Sequence, residues 1–263
     1  MKSTVQVCGL SKNFYDENRG EVRAVDGIDF ECGPGEIFGL LGANGAGKTT
    51  TLRMLATILK PSGGTAALMG HSVATDPEKV RRNLGFNSST TALYPRLTAR
   101  ETIEFFARIN GVPEPQVRER VDRLVQRFGL SDYQHARVDK LSQGMKQKVS
   151  IARTVAHNPP VLIFDEPTVG LDVLNAIEML GVIAEFRAEG KTILFSTHIM
   201  SEAERLCDRI AIIHRGRIHA CDTLANLRSA TGEHYLEDIF VHYVQPTSQR
   251  AARQEPAPGS GPG

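Results

Sequence analysis

What the chain lacks narrows it first. Its 263 residues hold no apolar segment long enough to span a bilayer, and the longest candidates, such as Val161-Leu-Ile-Phe164, are strand-sized. The first residues, Met1-Lys-Ser-Thr-Val-Gln-Val7, lack the apolar stretch of a signal peptide. The four cysteines, Cys8, Cys32, Cys207 and Cys221, are scattered, with no C-x-x-C and no metal-ligand spacing. They read as reduced thiols packed as small hydrophobes. An excess of one charge is also missing. Lys and Arg number 31 against 30 Asp and Glu, interspersed, so neither a basic stripe for nucleic acid nor a polybasic run for anionic lipid is present. No heptad pattern is sustained. With 41% hydrophobic and 23% charged residues, the chain suits one large α/β domain or two modest ones.

The positive signal is Gly42-Ala-Asn-Gly-Ala-Gly-Lys48-Thr49, which fits G-x-x-x-x-G-K-[ST], a phosphate-binding loop. Glu36 to Leu41 before it read as a buried strand, and Thr50 to Leu59 after it read as a helix that stops at Pro61. The glycines let successive backbone N–H groups turn inward, and the helix N-terminus adds about half a positive charge. Across Asn44, Gly45, Ala46, Gly47 and Thr50 the loop can cradle phosphates. Lys48 would neutralise the β- and γ-phosphates, and the Thr49 hydroxyl would hold Mg²⁺.

Short strands are expected at Val5-Gln-Val-Cys8 and Val25 to Glu31, with a polar loop between them around Asp16 to Glu21. Thr98 to His157 reads as helical. Thr98-Ala-Arg-Glu101 fits a capping box, Pro113 and Pro115 break the run, and Val121, Leu124, Val125 and Phe128 resume it before Gly129. Beyond it, strands at Val161–Asp165, Thr192–Ser196 and Ile210–Ile213 alternate with helices at Leu174–Ala188 and Ser201–Cys207. That alternation argues for an α/β fold with parallel pairing. From about Pro246 the chain turns Pro-, Gly-, Ser- and Ala-rich, as a disordered tail does.

Two acids close the apolar strand. An acid at that position in a phosphate-loop enzyme meets Mg²⁺, which assigns Asp165. A second carboxylate directly after it can align an attacking water, which assigns Glu166 as general base. His198 lies just past Ser196, on the sheet edge where open α/β folds bind ligands, within reach of a γ-phosphate. Leu141-Ser-Gln-Gly144 opens a further helix, and Ser142 alone reads as an ordinary N-cap.

Together these residues resemble the ATP-binding subunits of ABC transporters. The phosphate loop Gly42–Thr49, the signature loop Leu141-Ser-Gln-Gly144, the acidic strand Val161–Pro167, the loop Gly170-Leu-Asp172 and the switch histidine His198 occur in the family's order, and the resemblance covers roughly residues 3–243. It implies a phosphate-loop NTPase (RecA-like) α/β core with a mostly parallel sheet, an N-terminal antiparallel β subdomain and an inserted α-helical subdomain at about 88–157. The ATPase domain would span 1–245, with the tail at 246–263. It further implies ATP and Mg²⁺ as ligands and an ATP-dependent dimer. In that dimer Ser142, Gln143 and Gly144 of one subunit would face the nucleotide of the other, and Asp172 would help join the two sites. Phe14 matches the aromatic position that stacks on adenine, with Tyr15 as fallback, although on physical grounds Phe14 reads as a core residue. The partner would be an integral-membrane permease, placing the chain at the cytoplasmic face of the membrane, and no nucleic acid is expected.

The chain departs from the family pattern in two places. Gln143 and Met145 stand where the family usually has glycine and glutamine, while Ser142 and Gly144 are kept. Ser89 aligns with the glutamine that usually contacts Mg²⁺ and water and senses the permease, and serine is two carbons shorter. Leu84-Gly-Phe86, Arg96–Glu101, Pro159–Thr168 and Gly190–Glu202 most resemble the ATPases of bacterial sodium-extrusion systems. Export of a drug, peptide or lipid is the alternative, and after it a soluble ABC ATPase with no transport role.

Overall fold

The computed structural model describes residues 3–18, 20–88 and 92–245. Two sheets organise it. The smaller is antiparallel and holds β1 (Val5–Asp16), β2 (Gly20–Cys32), β4 (Gly63–Leu68) and β5 (His71–Ser72) in the order β2-β1-β4-β5. β1 and β2 run far longer than the alternation at Val5–Cys8 and Val25–Glu31 predicts. They stay paired up to Asp16↔Gly20, so Asp16, Gly20 and Glu21 of the expected loop are strand. Register shifts between Val7 and Asn13 explain the difference, because each bulge flips the side-chain alternation that a sequence reading relies on.

The larger sheet holds β3 (Ile37–Leu41), β6 (Leu84–Ser88), β7 (Val161–Asp165), β8 (Thr192–Thr197), β9 (Arg209–His214) and β10 (Arg217–Asp222), in the order β10-β9-β3-β8-β7-β6. All its pairings are parallel except the β9–β10 hairpin. β7 is buried along its whole length, which is why it reads as an unbroken apolar run. Its alternate residues serve two cores. Val161 and Ile163 pack with Phe38, Leu40 and Leu52, while Leu162 and Phe164 pack with Val149, Ile151 and Phe186.

α1 (Lys48–Leu55) follows the phosphate loop and ends earlier than Leu59, because Thr57 takes a positive φ of 60°. α2 (Pro77–Arg82) precedes β6. Between β6 and β7 come α3 (Ala99–Ile109), α4 (Glu114–Arg127) and α5 (Gln143–Val155). The capping box at the start of α3 is present: Glu101 N–H donates to Thr98 Oγ1 at 3.1 Å and Thr98 N–H to Glu101 Oε2 at 2.8 Å. α6 (Val173–Ala188) and α7 (Met200–Leu206) match expectation to within a residue. α8 (Leu224–Thr231) and α9 (Leu236–Val244) have no counterpart in the sequence reading. They cover β9 through Leu227, Leu236 and Ile239. No helix among the described residues is long and apolar enough to cross a membrane.

Candidate functional site

The C-terminal ends of β3, β7 and β8 converge on one cleft of about 300 Å³, lined by Asn44 through Thr50, Ala24, Asp165 and Glu166. Gly47 makes the loop possible. Its φ is 110°, and a Cβ there would stand 2.7 Å from the Ala24 carbonyl, so only glycine lets β2 approach this closely. The β9–β10 turn closes the other side, with Gly216 N–H donating to the Ala46 carbonyl at 2.9 Å.

Lys48 is 4% exposed. Its ammonium donates to the Gly42 carbonyl at 2.6 Å and the Ala43 carbonyl at 3.1 Å, and lies 3.0 Å from Glu166 Oε1. Thr49 Oγ1 donates to Asp165 Oδ1 at 3.1 Å. Asp165 is buried to 2% exposure, yet it meets hydroxyl donors on both oxygens, from Thr49 and Ser196 on one and Ser88 on the other. Glu166 turns away from the strand with φ +50°, a region that costs an L-residue roughly 1–2 kcal/mol. Its N–H is held by the carbonyl and the hydroxyl of Ser196, each at 3.1 Å. His198 Nδ1 stands 3.5 Å from Glu166 Oε2, with the ring 38% exposed.

The donor set suits a small hard cation. Thr49 and Asp165 present oxygen ligands side by side in the lining of the cleft, and Mg²⁺ is ordinarily held by one or two protein oxygens plus substrate phosphates. A protein-only cage would need more, and no group of three or more His, Cys, Asp or Glu able to hold a metal occurs among the described residues.

Other predicted residues lie elsewhere. Ser142 is the N-cap of α5 and accepts from Met145 N–H at 3.3 Å, as its N-cap reading expects. Gly144 packs against Asn175 of α6, where a Cβ would come 2.8 Å from the Asn175 carboxamide oxygen. Asp172 caps α6 and accepts from the Asn175 N–H at 3.0 Å, a bond that holds its carboxyl below the usual range. Gln143, Gly144 and Asp172 thus form a second locus, separate from the cleft lining. Phe14 is not a core residue. It is 41% exposed near the tip of the β1–β2 hairpin, with the Lys12 ammonium 5.1 Å from its ring centre; Tyr15 is 83% exposed. Exposure follows from the hairpin continuing past the body of the sheet. Ser89 and the tail from residue 246 lie outside the described residues.

The ABC transporter family matches residues 25–169. That span is more than half of the chain. The chain belongs to the ATP-binding subunits of ABC transporters. As a member it binds ATP and is an ATP hydrolase. It is 39% identical to the ABC transporter ATP-binding protein NatA of Bacillus subtilis, over 90% of this chain and 96% of that one. It is 38% identical to the daunorubicin/doxorubicin resistance ATP-binding protein of Streptomyces peucetius, over 85% of this chain and 67% of that one. Among solved structures, an ATP-binding subunit of an ABC transporter superposes with a TM-score of 0.82 at 33% identity, covering 92% of this chain and 100% of that one. A dimeric bacterial ABC transporter cassette gives 0.76 at 25% identity, over 84% of this chain and 98% of the cassette.

Four residues of this ABC ATPase site escape a sequence reading. Ala24 and Gly216 reach the phosphate loop through backbone contacts that leave no trace in composition. Ser88 and Ser196 leave one signal: each is a serine at the C-terminal end of a buried parallel strand, where an apolar residue is the ordinary occupant.

Proposed function

We propose that this chain is the ATPase subunit of an exporter, driving efflux through a separate membrane permease, with sodium as the first cargo to test. The observation that carries the reading is the convergence of Lys48, Thr49, Asp165 and Glu166 in one cleft, joined by contacts of 3.0–3.1 Å. In this reading Lys48 and the N–H groups of Gly45 to Thr50 bind the phosphates. Thr49 and Asp165 would hold Mg²⁺, which would supply charge neutralisation to the phosphates. Glu166 takes a proton from the attacking water, and His198, adjacent to it, holds the γ-phosphate.

The second locus supports a dimer. Val169, Val173, Leu174 and Ile177 are large apolar residues left 42–79% exposed around Asp172. Such a patch marks an interaction site. A second copy, or a paralogous subunit, would cover it and present Ser142, Gln143 and Gly144 to the facing nucleotide. Each ATP then joins two subunits, and closing follows from its tighter binding to the joined state. Motion would pass to the permease through the helical segment, near residues 88–97. Tyr94, Phe105 and Ile109, exposed on its surface, suit that contact. The chain would sit at the cytoplasmic face, held by the permease. Phe14 remains the proposed adenine contact, supported by its exposure near the hairpin tip.

The test begins with tagged Glu166→Gln chain, purified from its native cell in mild detergent with ATP present. Co-purification of a multi-helix membrane protein supports the transporter reading; a ribosome, nucleic acid or soluble partner instead overturns it. Sodium efflux from vesicles carrying the purified complex then decides the cargo. The second reading, a drug, peptide or lipid as cargo, draws on the names of relatives, which include daunorubicin/doxorubicin resistance and Nod factor export proteins. ATP-dependent uptake of such a compound, with sodium inert, would favour it.

A further inference from the structure

Two serines flank Asp165 in the sheet. β6, β7 and β8 are parallel, with Ser88 opposite Asp165 and Asp165 opposite Ser196. Laterally paired residues on adjacent strands project to the same face. The three side chains therefore form a row, continuing the face that buries Leu84, Ile163 and Leu194 below them. Exposure along the row is 3%, 2% and 0%. Ser88 Oγ donates to Asp165 Oδ2 at 3.1 Å, and Ser196 Oγ donates to Oδ1 at 2.7 Å. The Ser196 oxygen also accepts the Glu166 N–H at 3.1 Å. One hydroxyl thus touches both the carboxylate proposed for the metal and the backbone of the proposed base.

We propose that Ser88 and Ser196 are positioning residues of the hydrolytic site, acting on the metal through Asp165 and, for Ser196, on the attacking water through Glu166. This inference rests on the roles proposed above for Asp165 and Glu166. A carboxylate rotates readily about its last torsion, in a broad and roughly two-fold well. Donors on opposite oxygens stop that rotation. The Thr49 hydroxyl is the third donor, and it is the one that must redirect its oxygen toward a cation, leaving the serines to fix the carboxylate. Ser196 acts on Glu166 by a different route. The backbone at Glu166 is in the left-handed region, and the paired grip of the Ser196 carbonyl and hydroxyl holds it there. The row also ties the metal site to β6, whose next residue back, Asn87, faces the other way and donates to Ser150 of α5 at 2.9 Å. Ser88 therefore links Asp165 to the strand that leads into the helical segment.

The experiment uses the full chain, with Mn²⁺ as metal probe and ADP as nucleotide, reading unbound Mn²⁺ by electron paramagnetic resonance. Outer-shell substitutions of this kind typically weaken metal affinity or activity 10–100-fold. Ser88→Ala and Ser196→Ala are each expected to weaken Mn²⁺ about 10-fold or more. ADP affinity measured in EDTA should stay within about twofold of wild type, which reports an intact fold and phosphate loop. In steady-state hydrolysis the Ser88→Ala loss is expected in the metal's half-saturation. Ser196→Ala should lose kcat as well, even at saturating metal. Ser88→Thr, which keeps the hydroxyl, should restore Mn²⁺ affinity, and Ser196→Cys, a weaker donor, should fall between wild type and alanine.

Wild-type Mn²⁺ affinity in both alanine variants would overturn the inference, as would a Ser88→Thr variant as weak as Ser88→Ala with EDTA-state ADP affinity intact. Asp165→Ala separates this failure from a failure of the site itself. If it too leaves Mn²⁺ affinity unchanged, the metal assignment falls; if it alone weakens Mn²⁺, only the serine roles fall.

Discussion

The cleft and the signature locus are built on opposite principles. In the cleft, charged groups are buried and satisfied within one chain: Lys48 is 4% exposed with three acceptors around it, and Asp165 is 2% exposed with three hydroxyl donors. Around Asp172 the arrangement is reversed. Polar side chains there cap helices or bond their immediate neighbours, as Asn175 bonds Asp172, while Val173 and Leu174, 74% and 79% exposed, are left largely uncovered. A site whose buried charges are answered internally can bind alone. A site whose apolar groups face water is half of something. The contrast predicts that changes in the cleft act on binding and chemistry in the isolated chain, whereas changes around Asp172 act only on association.

The largest expected effect is on Glu166. Glu166→Gln removes a proton acceptor while keeping shape and the Ser196 contacts to its N–H, so hydrolysis should fall by about 10²–10⁴-fold, the usual contribution of a general base. ATP affinity should survive, and gel filtration with ATP should show a longer-lived dimer. Hydrolysis within about threefold of wild type, far short of that contribution, would take the base role from Glu166.

Next comes Lys48→Ala. A buried ammonium lost from a phosphate site typically costs several kcal/mol, so ATP affinity should fall on the order of 100-fold or more in direct titration. Unchanged affinity would mean that nucleotide binds elsewhere, and the internal completeness of the cleft would then be coincidental.

Both residues are legible in the amino-acid sequence itself, and the reason is physical. The phosphate loop and the acidic strand are contiguous along the chain, so their chemistry is written in neighbouring letters. The signature and Asp172 loops are legible only through family resemblance, because an N-cap serine and a capping aspartate look the same wherever helices begin. Ser88 and Ser196 escape because their role depends on register across three strands, and lateral pairing is not encoded in local spacing. The long β1–β2 hairpin escapes because bulges interrupt the alternation, and Phe14 reads wrongly as core for the same reason. β10, α8 and α9 escape because they are short and partly exposed, and only packing on β9 defines them.

A smaller effect is expected at the exposed face. Leu174→Asp touches no buried contact and should leave ATP affinity of the monomer unchanged. It should weaken the ATP-dependent dimer about 10-fold or more, since a charge placed in an apolar contact must be desolvated on association. Sedimentation of the Glu166→Gln, Leu174→Asp double variant with ATP measures this directly. A dimer as stable as that of Glu166→Gln alone would mean that the patch around Asp172 is not the contact surface.

The smallest effect concerns the joint between the two regions. His157 follows α5, the helix that begins at the signature loop, and its Nε2 lies 3.1 Å from the Leu84 carbonyl on β6. Burial pushes its pKa below the usual imidazole value of 6.5, the Leu84 carbonyl opposes that shift, and Lys191 and Arg120 lower it further. The unfolded chain therefore binds a proton that the folded chain resists. The associated stability is fully present above about pH 6.5 and is lost as pH falls below it toward the folded-state value. Partial burial and the neighbouring Arg215 shift His214 in the same direction, so the two should share the effect. Thermal midpoints should therefore drop between about pH 7.5 and pH 5.5. His157→Gln keeps a side-chain donor for Leu84 but cannot titrate, so its midpoint should fall less over that interval. A slope as steep as wild type would assign the pH response to His214 or to the carboxylates, and would leave the α5–β6 joint indifferent to protons.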